Sequence, residues 1–344
     1  MLTALDHGTP DRVPLFAFSV DPKFIRALGK GDPLDAFDAL GLDAIPLRAQ
    51  NWCQGVPLLA TLSGEVPEEE CTAGGVFGGW NGVDEFGRMW RRGSYVGGTL
   101  KDWDDVDRCI PPLRLEERTP PAAVERVKAR FPDRAYVLNF HSGPFGLTIE
   151  SMGFETFCEA LYRKRDLVAE VIRRRADWFI AVARHVVALG ADFVVMGDDV
   201  AFKGATFVSP NDFRELVLPH YRRIVESLRV PVVWHSDGFI EPLLDMAVEA
   251  GFRGIHAMEP PAGNDMGRIK RRYGRELVLL GNVDCVEVLT GTDLARVRAD
   301  VDRCMIQAKA GGGYMLASSN SLHAGCTVEA VSEMYRYGAE AGRY

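Results

Sequence analysis

The chain has 344 residues, 47% of them hydrophobic and 26% charged, which is the composition of an ordinary globular protein and not of a disordered one. Its 40 basic and 48 acidic residues leave a net charge of −8, the opposite of the basic excess expected of a nucleic-acid-binding protein. No stretch approaches the ~20 consecutive apolar residues of a membrane-spanning helix, and the N-terminus lacks a signal-peptide pattern. We therefore expect a cytoplasmic protein with neither a nucleic-acid nor a membrane partner.

Short apolar runs alternate with helical patterns along most of the chain, which predicts βα units around a parallel sheet. Two runs in the first fifty residues and six from residue 136 onward make eight, the strand number of a (β/α)₈ barrel. The predicted strands are 13–18, 44–47, 136–140, 192–196, 230–234, 253–258, 277–280 and 313–317. The predicted helices include 35–40, 154–189, one opened by Ser209 as N-cap, 265–273, 293–310 and 328–339.

The stretch between the second and third predicted strands has a different amino-acid composition. It is rich in glycine and tryptophan, as in Gly74–Trp80 and Phe86–Trp90, which favours hairpins. We expect an α/β fold with one domain over residues 1–344, a single (β/α)₈ TIM barrel with an insertion at about 50–130. A doubly wound open sheet is the alternative, but residues 19–23 offer no glycine-rich phosphate loop.

Polar side chains follow most of the predicted strands, at the face where barrel enzymes place their active sites. Each has a plain structural explanation when taken alone, such as helix capping for an aspartate or core packing for a cysteine. Together they would converge on one mouth of the barrel. An imidazole, thiolate and carboxylate cluster would bind zinc with one open position, whereas a metal-free pocket would use the same groups for acid–base catalysis. The residues alone leave both interpretations open.

Six motifs in consistent order resemble the uroporphyrinogen decarboxylase superfamily, over nearly the whole chain. The resemblance implies a (β/α)₈ barrel with its pocket at the C-terminal mouth. The superfamily has a branch that decarboxylates uroporphyrinogen without a cofactor and a branch that uses zinc to transfer methyl groups to or from a corrinoid or a thiol. The motifs are Pro10–Pro14, Ser209–Pro219, His235–Gly238, Lys270–Gly274, Gly281–Asp284 and Gly311–Tyr314.

The methyltransferase branch is the better match. Decarboxylases carry an arginine-rich stretch after the first strand, and residues 16–21 contain no arginine to grip the substrate carboxylates. Methyltransferases carry His-x-Cys after one strand and a cysteine after the last, and the corresponding positions here are His235, Asp237 and Asn320. Related demethylating enzymes use a carboxylate and two cysteines, so the resemblance implies a zinc site of His235, Glu259, Cys285 and Cys326.

We therefore expect a zinc-dependent methyltransferase or demethylase that moves a methyl group from a small methylated substrate to a corrinoid carried by a partner protein. Two alternatives stay open. One is a metal-free decarboxylase-like lyase that uses Asp198, Asp199 and His235, and the other is a tetrapyrrole binder without activity. The candidate catalytic residues are Asp198, Asp199, Asp237 and Asn320, and the candidate cofactor-binding residues are His141, Asn282 and His323.

Overall fold

A parallel sheet forms the centre of the protein. The computed structural model describes residues 1–30, 33–47, 81–92 and 94–344. The strands of this sheet are β1 (Ala44–Pro46), β5 (Ala135–Phe140), β6 (Phe193–Gly197), β9 (Val232–Ser236), β10 (Gly254–Ala257), β11 (Val278–Val283) and β12 (Tyr314–Ser318). They are ordered β1-β5-β6-β9-β10-β11-β12, and every neighbouring pair is parallel. The α/β fold with a parallel sheet is thus confirmed.

The predicted first strand, 13–18, is not a regular strand. Leu15 forms an isolated parallel bridge with Leu316 of β12, and the Phe16 N–H donates to the Leu316 carbonyl at 2.9 Å. On the other side, the Asp43 N–H donates to the Leu15 carbonyl at 3.0 Å, one residue before β1. Pro14 lacks an N–H, which shortens the ladder that this segment can form. The segment nevertheless hydrogen-bonds on both sides and links β12 to the start of β1.

Helices follow most of the sheet strands, and some of them begin at a side chain that accepts a backbone N–H group. Ser209, predicted as an N-cap, accepts from Asp212, and Asp293 and Thr327 cap two later helices in the same way. None of the helices in the described part of the chain combines the length and apolar character that a membrane crossing requires. The helices are Leu2–Leu5, Pro22–Ala27, Pro33–Ala39, Leu115–Arg118, Pro121–Arg130, Pro144–Met152, Phe154–Arg163, Arg165–Ala188, Pro210–Leu216, Leu218–Ser227, Leu244–Ala250, Met266–Tyr273, Leu294–Ala308 and Val328–Ala341.

Several helices differ from the sequence-based expectation, and the reason is clear for two of them. The predicted helix 154–189 is interrupted at Lys164, whose φ of −141° and ψ of 46° lie outside the helical region. Apolar periodicity continues across the break, so the pattern did not reveal it. The helix Pro144–Met152 was not predicted, because nearly all its residues are buried and it shows no amphipathic alternation.

The sheet is apolar on both faces. In β6, Val194 and Met196 join the large core under the helices, whereas Phe193 and Val195 join a smaller core on the other face. This is the alternation that a strand with two buried faces produces. The smaller core also contains Phe18. Polar side chains accumulate where the strands end, which places the candidate residues at one edge.

The described part of the stretch predicted as an insertion contains antiparallel strands. These are β2 (Gly82–Val83), β3 (Arg88–Arg91) and β4 (Ser94–Gly98), in the order β2-β3-β4. They pack on the helix Pro144–Met152, where buried Arg88 pairs with Asp84 and with Glu150. The hairpin prediction for Gly74–Trp80 lies outside the described residues.

Candidate metal centre

Three predicted site residues converge at the ends of β6 and β9. The two strands are neighbours in register, with Gly197 opposite His235. Asp199 follows β6 by two residues, and Asp237 directly follows β9. One potential ligand atom from each of Asp199, His235 and Asp237 lies within 4.8 Å of those of the other two. Among the described residues, these three side chains form a group close enough to share one metal ion.

His235 is held from two sides. Its ring stacks on Phe18 with centroids 4.0 Å apart, and its Nδ1 lies 2.7 Å from Nδ1 of His256. Burial and the neighbouring His256 lower the pKa of His235 well below its ordinary value, and burial lowers the pKa of His256 to about 3. Both rings are therefore neutral, and one Nδ1 donates to the other. The Nε2 of His235 lies 3.5 Å from Oδ1 of Asp237.

The two aspartates are close to each other and to other acids. The Asp237 N–H donates to Oδ1 of Asp199 at 2.9 Å. Burial, followed by the charge of Asp237, raises the pKa of Asp199 well above its ordinary value. Burial, followed by the charge of Glu259, raises the pKa of Asp237 to about 7. The leading electrostatic influences on both groups are therefore carboxylates, a situation that a bound cation would relieve.

Glu259 and Asn320 form the next layer around Asp237. Oε2 of Glu259 accepts from the Gly238 N–H at 2.8 Å, and Oε1 accepts from Nδ2 of Asn320 at 3.2 Å. Met258, just before Glu259, has a φ of 54°, a left-handed conformation that costs a non-glycine residue roughly 1–2 kcal/mol. Such strain is typical of functional sites, and nothing in the sequence signals it.

The two predicted cysteine ligands are not brought into this group. The Cys285 Sγ accepts from the Ser319 hydroxyl at 3.5 Å, and the Cys326 thiol donates towards the Cys285 carbonyl at 3.8 Å. Burial raises the pKa of Cys285 to about 12 and that of Cys326 to about 11. Both side chains are therefore neutral thiols, whereas zinc binds the thiolate. The sequence-based ligand set remains a prediction.

A substitution separates the two ligand sets. We expect Cys285→Ser to leave the dissociation constant for zinc within about 3-fold of the wild-type value, because the Cys285 thiol is hydrogen-bonded inside the protein. Asp199→Asn is the matched positive control and should weaken zinc binding by at least about 10-fold. Isothermal titration calorimetry on the metal-depleted proteins measures both. A loss of zinc in Cys285→Ser equal to that in Asp199→Asn would support the cysteine set instead.

Asp198 faces away from the cluster. Its carboxylate accepts from the N–H groups of Phe145 and Gly146 and, at 2.8 Å, from the Tyr221 hydroxyl. It therefore binds the first turn of the helix Pro144–Met152 and connects it to β6. Burial raises the pKa of Asp198 to about 7. Its catalytic assignment remains a prediction, and its observed contacts are those of a structural cap.

The three predicted cofactor-binding residues are dispersed. His141 packs against Phe18, with ring centroids 4.8 Å apart. Asn282 is buried and bonds to the Met258 carbonyl and to Arg303 on the helix Leu294–Ala308. Nε2 of His323 lies 3.0 Å from the carbonyl oxygen of Cys285. Of the three, only His141 contacts a ring that His235 also contacts, namely that of Phe18.

Sequence reasoning missed two residues that orient His235. His256 lies inside the predicted strand 253–258, where a packing role is expected, and Phe18 lies in the segment 16–21 that contains no arginine. A signal existed for His256, because His235 and His256 are register partners on adjacent strands. Phe18 gave no comparable signal, since its strand is irregular.

Comparison with known proteins places the chain in a family. A family model described as Uroporphyrinogen decarboxylase (URO-D) matches residues 89–340. Methylcobamide:CoM methyltransferase MtaA of Methanosarcina barkeri is 23% identical over 194 residues, which cover 56% of this chain and 56% of that protein. Uroporphyrinogen decarboxylase of Methylococcus capsulatus is 24% identical over 249 residues, which cover 67% and 68%.

Similarity to a solved structure extends over almost the whole chain. A methyltransferase from Methanosarcina mazei superposes with a TM-score of 0.73 at 20% identity, covering 98% of this chain and 97% of that one. This likeness supports the shared fold. In sequence, by contrast, the match to MtaA spans little more than half the length of that protein.

Proposed function

Since the chain belongs to the uroporphyrinogen decarboxylase (URO-D) family, we propose that it is a metal-dependent methyltransferase with zinc held by Asp199, His235 and Asp237. The observation that carries the proposal is the convergence of the Asp199 and Asp237 carboxyl groups on the buried, neutral imidazole of His235. The similarity to methyltransferases supports the choice of reaction. The proposed substrate is a small methylated compound, and the proposed methyl acceptor is a corrinoid on a partner protein.

The residues present fit a divalent cation. Among the residues that the structure describes, the buried Oδ1 of Asp237 has no hydrogen-bond partner, although it belongs to a cluster with two further potential ligands. Imidazole nitrogen and carboxylate oxygen are ligands that zinc accepts, and three protein ligands leave a position for substrate. A cation would also offset the burial and the carboxylate repulsion that together raise the pKa values of Asp199 and Asp237.

Each residue then has a defined task. Zinc, when bound, supplies a Lewis acid that polarises the bond between the methyl group and the substrate heteroatom. His256 and Phe18 fix the plane of the His235 ring. Asp199 accepts the N–H of Asp237 and so fixes the two carboxylates relative to each other. Glu259 and Asn320 hold the loop that begins at Asp237.

Decarboxylation of uroporphyrinogen is the second candidate, because decarboxylases are also among the similar proteins. The electrostatics argue against it. A substrate with several carboxylates would meet Asp199, Asp237 and Glu259, and burial together with the charges of these neighbouring carboxylates already raises the pKa values of Asp199 and Asp237. Cations at the mouth would be needed to attract such a substrate.

The sheet and the segment 13–18 support a finer proposal for the fold. We propose that this segment acts as one of eight strands and closes a (β/α)₈ barrel. Its hydrogen bonds to Leu316 on one side and Asp43 on the other are those expected of a closing strand. Residues 50–130 would then be an insertion between the second and third strands.

The test is methyl transfer by the zinc-loaded protein. Reduced cobalamin, cob(I)alamin, is mixed with the protein and with methoxylated compounds, methylated amines or methylated thiols. The expected result is methylcobalamin, seen as a change in visible absorbance, with at least one class of substrate. Activity that persists after complete zinc removal would contradict the proposal, as would carbon dioxide release from uroporphyrinogen.

Zinc binding should depend steeply on pH. Burial, followed by the charge of Glu259, raises the pKa of Asp237 to about 7, so in the metal-free protein this carboxyl group holds a proton below about pH 7, and the pKa of Asp199 is raised as well. Zinc binds the ionised carboxylate, so binding below about pH 7 must release a proton. We expect the affinity at pH 6 to be at least about 10-fold weaker than at pH 8. Calorimetry in two buffers of different ionisation enthalpy counts the protons, and release of none would contradict the assignment.

A further inference from the structure

A row of phenylalanine rings lies beside the candidate metal centre and has no role in the proposed function. Phe154 and Phe202 are 49% and 50% exposed, and each ring contacts Phe207 with centroids 5.8 Å apart. The first contact is edge to face and the second is stacked. We call Phe154, Phe202 and Phe207 the rim patch. Grouped exposed rings mark a binding surface, whereas single exposed apolar side chains are common everywhere.

The backbone attaches the rim patch to the loop that carries Asp199. β7 (Ala201–Phe202) and β8 (Ala205–Thr206) form an antiparallel hairpin that starts two residues after Asp199. The Phe207 N–H then donates to the carbonyl of Val200 at 2.8 Å, which closes the hairpin onto the end of β6. Phe207 and Asp199 therefore share one short, hydrogen-bonded unit.

The same hairpin contacts the loop that carries Asp237. The Phe239 N–H donates to the Phe202 carbonyl at 3.1 Å. A Cβ atom placed on Gly238 would come within 2.8 Å of the Phe202 nitrogen, so the two backbones are in direct contact. Gly238 also has a φ of 81°, which suits glycine alone. The position of Phe202 is thus fixed relative to two of the three proposed metal ligands.

We propose that the rim patch binds an apolar, preferably aromatic, group of the substrate and so selects which methylated compounds reach Asp199, His235 and Asp237. This inference rests on the function proposed above. A small molecule is the occupant that the observations favour, because the exposed rings are continuous with the metal-centre loops. A neutral ring also avoids the repulsion that an anionic group would meet from Asp237 and Glu259.

The experiment measures binding of methoxybenzene to the zinc-loaded protein by ligand-observed NMR. We expect Phe202→Ala and Phe154→Ala each to weaken binding about 3- to 10-fold, the range typical of one aromatic contact. Their zinc affinity and thermal midpoint should stay at wild-type values, because both rings are half exposed. Tyr162→Ala is the matched control, since Tyr162 is an 85% exposed aromatic residue on the helix that begins at Phe154, and it should change nothing.

The outcomes distinguish this inference from the proposed function. Unchanged methoxybenzene binding in Phe202→Ala, equal losses in Tyr162→Ala, or no binding by the wild-type protein would each overturn the inference. If methoxybenzene binds through the rim patch but no methyl group from any substrate class reaches cob(I)alamin, the proposed function is wrong, whereas the rim patch is still shown to bind an aromatic group.

Discussion

Replacing His235 with glutamine is expected to weaken zinc binding by at least about 100-fold and to abolish methyl transfer. His235 supplies the imidazole of the three-ligand group, and it is neutral and therefore ready to donate an electron pair. Loss of an outer residue that only orients a ligand costs 10- to 100-fold in metal affinity, so loss of the ligand itself should cost more. Zinc content after purification and calorimetry measure the effect.

Two further variants sharpen this test. His256→Phe keeps an aromatic ring but removes the nitrogen that lies 2.7 Å from His235, and it should weaken zinc binding about 10-fold. His220→Gln is the control, because His220 lies on the helix Leu218–Ser227 and contacts Arg223 outside the centre. If His235→Gln binds zinc as tightly as His220→Gln does, the ion is held by other residues.

The positions of the candidate residues could be predicted, because the apolar runs that define the strands end where the polar residues begin. Asp199, Glu259, Cys285 and Asn320 each come two residues after a sheet strand. Parallel strands bring such positions to the same edge of a sheet. Strand position alone, without any side-chain contact, therefore predicts that all four residues lie near the same end of the sheet.

The direction of each side chain could not be predicted in the same way. Asp198 and Asp199 are neighbours in the chain, yet one carboxylate caps the helix Pro144–Met152 and the other joins the metal cluster. The capping partner was unknown, because that helix is buried and left no periodic pattern. Cys285 likewise follows its strand at the expected place, but its sulfur accepts a hydrogen bond from Ser319 inside the protein.

The family resemblance points to two different sets of candidate metal ligands. It identified the end of β9, where Nε2 of His235 and Oδ1 of Asp237 lie 3.5 Å apart. It also drew attention to cysteines, since the family's zinc sites contain thiolates. Here a carboxylate from the adjacent strand, Asp199, is closer to this pair, and strand adjacency predicts that contact better than residue type does.

Replacing Asp198 with alanine is expected to lower the free energy of unfolding by about 3–5 kcal/mol, the largest stability effect we expect at this mouth. The substitution leaves the Phe145 and Gly146 N–H groups and the Tyr221 hydroxyl without their buried acceptor, and each such loss costs about 1–3 kcal/mol. Asp245→Ala is the matched control, because Asp245 also accepts from a tyrosine, Tyr273, but is 66% exposed. An exposed site of this kind contributes at most about 1 kcal/mol. Urea unfolding at pH 7 measures both, and equal losses would show that Asp198 is not the anchor of its helix.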